Sequence, residues 1–111
     1  MIIVLLETIC RDLDIDLIAS PRMGNISGVA ISLQWEARGI AYKSTLDGWT
    51  QAFVISHEIA HHILGHLNDA DSSPGKLRKK DLAHIEQEAQ AFAAAFMATA
   101  VFNHYEHRER P

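Results

Sequence analysis

Apolar residues at Ile2, Leu5, Leu6, Ile9 and Leu13 recur at helical spacing and predict a first amphipathic helix over residues 1–13. Asp12, Asp14 and Asp16 then interleave with Leu13, Ile15 and Leu17, and this period of two opens a short strand over 16–19, closed by Ser20-Pro21. After a turn at Gly24-Asn25, residues 28–35 and 37–44 read as two strands whose connection lies within 35–39, most simply an antiparallel hairpin or meander. Thr50 is a plausible N-cap for a helix through Phe53, Val54, Ile55, Ile59, Ile63 and Leu64, and Gly65 is a natural stop. A polar loop over 68–75 leads to a long last helix from 77 or 82 to 102, with Leu82, Ile85, Ala89, Phe92, Phe96 and Ala100 on one side. Strands and helices are segregated as α-β-β-β-α-α. The expected fold class is therefore α+β, a small domain with an N-terminal helix, a short antiparallel sheet, a motif-bearing helix and a long C-terminal helix.

The chain has 111 residues, 48% of them apolar, which predicts a single domain over 1–111 with one core. One cysteine, Cys10, excludes an intrachain disulfide and a multi-thiolate metal site. The apolar opening 1–6 is too short for a signal core, and the weakly polar run 89–102 is shorter than the ~20 residues of a membrane span. A cytoplasmic protein with no membrane partner is the expectation. A net charge of −4 argues against direct grip on nucleic acid. Seven histidines are the exception to an ordinary composition, because average usage of roughly 2% gives two or three.

Two of them fall in His57-Glu58-Ile59-Ala60-His61. On a helix, positions i and i+4 point the same way, so both imidazoles can bind one Zn²⁺. Glu58 is rotated about 100° from His57. There it can take the proton of a metal-activated water as that water attacks a carbonyl, which is the hydrolase reading of H-E-x-x-H. With this His and Glu content, chance gives roughly 0.03 matches in a chain of this length. The motif also lies on a helix predicted independently.

A catalytic zinc commonly has three protein ligands. His62 is turned about 100° away from His61 and is expected on the helix surface. His66 falls one residue short of the spacing H-E-x-x-H-x-x-G-x-x-H, where Leu67 stands instead. His66 stays a lesser candidate ligand, its plainer reading being a cation at the helix end. Glu86 and Glu88 on the last helix are the other two candidates, and being two apart they cannot both face the metal.

The segments Phe53-Val-Ile-Ser-His57-Glu-Ile-Ala-His61 and Glu86-Gln-Glu88-Ala-Gln90-Ala-Phe92-Ala93 resemble the paired motifs of the ImmA/IrrE family of metallopeptidases, F-x-x-A-H-E-x-x-H and E-x-x-A-[ND]-x-F-A. The resemblance implies a metal site of His57, His61 and Glu86 with Glu58 as catalytic base, and Glu88 in reserve as ligand. It also implies a zinc-dependent endopeptidase that cuts a regulatory protein, typically a helix-turn-helix repressor. Ser56 and Gln90 depart from the family's Ala and Asn/Asp, and Ala98-Thr99-Ala100 continues a helix where the family commonly has proline. Ser56 is a mild change; Gln90 and the abbreviated C-terminal part motivate an alternative, a metal-binding module that binds a regulator without cleaving it. A non-proteolytic zinc hydrolase is a third reading.

The other polar and aromatic features have plainer expectations. Lys76, Arg78, Lys79 and Lys80 read as a solvated helix start or, second, a docking site for an acidic or nucleic-acid partner, and Trp35, Tyr42 and Trp49 as packing residues or a peptide-binding rim. If the last strand is an exposed edge, its residues 38–44 could pair with an extended substrate. His84, His104 and His107 are expected at the surface, and either His104 or Tyr105 could stabilise an oxyanion. Cys10 reads as a small buried hydrophobe, and Phe92, Phe96 and Met97 as core.

Overall fold

A computed structural model describes residues 2–33, 37–65 and 79–109. Among these, the order is α1 (Ile2–Asp12), β1 (Ile15–Ser20), β2 (Gly28–Leu33), β3 (Ala37–Lys43), α2 (Gly48–Ile63) and α3 (Lys79–Glu109). The architecture is α+β: helices on one face of a small three-stranded sheet.

Each element follows from local chemistry. The apolar stripe of α1 buries Leu6 and Cys10, with Ile2, Ile3, Ile9 and Leu13 packed around them. The chain leaves α1 through Asp14 at φ 62°, a left-handed turn that a short polar side chain tolerates. The Arg38 guanidinium donates to the Leu13 carbonyl there, placing a cation at the helix C-terminus. Burial alternates along β1, so Ile15 is buried and Leu17 packs on the core while Ile18 faces out.

The strand order is β1-β3-β2. β2 and β3 form the expected antiparallel pair, with Ala30 opposite Ile40. β1 pairs parallel to β3, with Leu17 beside Ile40, so the sheet is mixed where a short antiparallel sheet was expected. The reason lies in the connection. Residues 21–27 carry the chain across to the far side of β3, the Lys43 ammonium donates to the Gly24 carbonyl, and Ser44 N–H donates to the Ser20 carbonyl. β3 is consequently the middle strand, and residues 38–44 offer no free edge.

Asp47, not Thr50, caps α2. Its carboxylate accepts from the Thr50 N–H at 3.0 Å and from the Thr50 hydroxyl at 2.7 Å, and these two bonds lower its pKa. Gly65 at φ 76° follows the helix, as its sequence position predicts. α2 packs against α1, α3, β2 and β3, which explains why it is buried on more than one side. Ala60, Ala89 and Ala93 are fully buried, and their small side chains allow α2 and α3 to approach closely, while Ala52 is buried in the core cluster. Phe96 and Met97 pack on the core, whereas Leu82 is exposed near the start of α3, before that helix meets the core. No helix among the described residues is long and apolar enough to cross a membrane.

Candidate metal centre

α2 carries His57 and His61 one turn apart, and α3 packs alongside it. The two imidazole rings meet edge to face, with centroids 4.9 Å apart. Glu86 reaches both from α3: one carboxylate oxygen lies 2.8 Å from His57 Nε2 and the other 3.2 Å from His61 Nε2. One donor atom from each residue lies within 4.8 Å of those of the other two. Glu88, on the opposite side of the helix, lies near His84 at 3.5 Å. The geometry thus assembles Glu86, not Glu88, with the two histidines.

Two imidazoles and a carboxylate suit a borderline-soft dication. Tetrahedral bonds of about 2.0–2.1 Å separate ligand atoms by roughly 3.3 Å. The observed distances of 2.8 and 3.2 Å fall short of that spacing by about half and about a tenth of an ångström, so a small opening of the cluster would admit the ion. His57 is 14% exposed and Glu86 57% exposed, so the cluster opens to solvent on the α3 side.

Glu58 lies beside this cluster and is only 9% exposed. Burial raises its pKa to about 6, with the nearby Glu86 carboxylate adding to the rise. Attraction to His57 and a hydrogen bond from the Ala30 N–H on β2 act against it. Glu58 is therefore held by the sheet and faces the same cleft as His57. That cleft has a volume of about 220 Å³ and is lined by Ser27, Gly28, Phe53, Val54, His57 and Glu58.

Two residues of the motif helix have structural roles. Ser56 is buried, and its hydroxyl donates to the Ala52 carbonyl at 2.8 Å, so the departure from alanine leaves no unpaired polar group. His62 is buried rather than on the helix surface, because α2 meets the sheet as well as α3. Its Nε2 lies 2.9 Å from the Gly39 carbonyl, and burial lowers its pKa. Gln90 is exposed on α3.

Sequence reasoning did not reach the Ala30 N–H, nor Ser27, Gly28, Phe53 and Val54 as walls of the cleft. Phe53 and Val54 carried a usable signal, since each stands one turn before His57 or Glu58. Trp49 is 61% exposed, whereas Tyr42 packs on the core. Trp35, His66, Lys76 and Arg78 lie outside the described residues, as do the side chains of Lys79, Lys80, His104, Tyr105 and His107.

The profile of the IrrE N-terminal-like domain, peptidase family M78, matches residues 10–110. The chain belongs to this family. No curated protein and no solved structure matches it. Membership makes the protein metallopeptidase-like, in keeping with the potential metal-binding triad.

Proposed function

We propose that this M78 domain is a zinc-dependent endopeptidase. The observation that carries the reading is the closure of His57 and His61 by Glu86, with buried Glu58 beside them on the wall of an open cleft. His57, His61 and Glu86 would hold the ion. When bound, zinc supplies Lewis acidity, polarising a carbonyl and acidifying water.

The chain's own residues account for the remaining work. β2 borders β3 on one side and has no strand partner on the other among the described residues. An extended peptide can therefore pair with that edge and lie across the cleft. Glu58 takes the proton of the attacking water and passes it to the departing amine. A carboxylate with a pKa of about 6 is matched to both tasks near neutral pH. The hydrogen bond from Ala30 holds Glu58 against the strand that would align the substrate.

The substrate we propose is a regulatory protein such as a helix-turn-helix repressor, cut at one site in the cytoplasm. Family resemblance supports this choice. The test is incubation of zinc-loaded protein with a candidate repressor, followed by mass spectrometry. Discrete fragments from wild type and none from metal-loaded Glu58→Gln are expected. A stable, metal-dependent complex with intact repressor would instead favour binding without cleavage.

A further inference from the structure

The cleft extends from the metal cluster toward the start of α2. Phe53 and Val54 form one wall, and Ser27 and Gly28 the other. Four helical residues advance about 6 Å. This places Phe53 and Val54 roughly two residues' length of extended chain from His57 and Glu58. Gly28 keeps strand and helix close: a Cβ there would overlap Val54 Cγ1 and stand 3.5 Å from Glu58 Cγ. Glu58 is the one carboxylate among the described residues that line the cleft.

We propose that this cleft is a subsite for one apolar side chain of the substrate, the size of Leu, Met or Phe, within two residues of the scissile bond. The inference rests on the peptidase reading and adds a specificity to it. Size supports the range named. An apolar cavity of about 150 Å³ holds a benzene ring, and the cleft's volume of about 220 Å³ accepts a side chain of that bulk without being filled by a methyl group. Charge supports it as well. An acidic side chain would face Glu58 and lose its hydration against Phe53 and Val54.

Three peptide hydroxamates differing at one side chain, methyl, isobutyl or carboxymethyl, test the subsite by calorimetry on zinc-loaded protein. Binding requires no turnover. The isobutyl compound is expected to bind at least about tenfold tighter than the methyl compound, and the carboxymethyl compound weakest. Val54→Ala should enlarge the cleft and shift preference from isobutyl toward benzyl, and Phe53→Ala should reduce the isobutyl advantage. Equal binding of the methyl and isobutyl compounds, or preferences unmoved by both substitutions, would overturn the subsite. So would failure of every hydroxamate to bind zinc-loaded protein. A side-chain preference in a protein that cleaves nothing supports the subsite and removes the peptidase reading. Cleavage without an apolar preference does the reverse.

Discussion

His62 ties α2 to the middle strand: its Nε2–H donates to the Gly39 carbonyl at 2.9 Å, one residue after His61. The bond helps fix the rotation of α2 and so the direction in which His57 and His61 point. His62→Ala removes the donor and is expected to cost about 1 kcal/mol or more, with weaker zinc binding. His62→Gln, which keeps an N–H, should recover part of both in urea titrations and chelator competition. Burial lowers the pKa of His62 in the folded state. Between that value and about 6.5 the unfolded chain therefore holds more protons. Stability from this group is present above pH 6.5 and is lost as pH falls through the window, a loss that His62→Gln should abolish.

Glu86 and Glu88 separate cleanly in a binding experiment. Glu86 touches both histidines, and Glu88 lies near His84 on the other side of α3. Changes to groups that only support a ligand commonly cost 10–100-fold in metal affinity. Glu86→Gln, which alters a proposed ligand, should cost at least about a hundredfold in competition with a chelator. Glu88→Gln should stay within about twofold. Zinc should raise the melting temperature of wild type, and chelation should reverse the rise.

The motif helix and its partner helix were legible because their signals are local. His57 and His61 share a face by spacing alone, and Gly65 ends α2 where a glycine is expected to. The sheet was less legible. Nothing in residues 15–20 specifies whether they run parallel or antiparallel to β3; that depends on where 21–27 lead the chain. His62 was misplaced for a related reason. A helix face reads as exposed until a second neighbour is known, and α2 has four. The cap lies at Asp47 because the helix begins at Gly48, earlier than its apolar positions show, and Thr50 is its third residue, whose N–H and hydroxyl the Asp47 carboxylate binds. The cleft depends on Gly28, whose role is to lack a side chain opposite Val54, and no periodicity in the sequence marks that.

Glu58 is expected to trade stability for chemistry. Its folded pKa of about 6 lies above its ordinary 4.5, so the folded state binds the proton more tightly. By linkage, the stability associated with the protonated carboxyl is present below about pH 4.5 and is lost as pH rises to 6. A shift of this size corresponds to about 2 kcal/mol. Metal-free Glu58→Gln should therefore be more stable than wild type by up to that amount at pH 7, with the difference gone below pH 4.5. The same variant should retain zinc and lose cleavage by a factor of at least 10². Urea denaturation across pH, metal analysis and a cleavage assay check the three parts separately.

Gly28 and Val54 give the most local prediction. Gly28→Ala forces a methyl group into Val54 Cγ1, and the β-branched side chain at position 54 has little rotamer freedom on a helix with which to move aside. Overpacking of this kind typically costs 1–3 kcal/mol. If the clash is the cause, Val54→Ala should relieve it. The double variant would then be more stable than the sum of the two single changes predicts, by about 1 kcal/mol or more in a double-mutant cycle. A merely additive result would mean that Gly28→Ala acts elsewhere, through the Ala41 carbonyl or the Glu58 stem, its other near neighbours. If the Glu58 stem is the neighbour affected, Gly28→Ala should also disturb Glu58, and the acid dependence of stability assigned to that residue would shift with it; if the Ala41 carbonyl is, that acid dependence should stay unchanged.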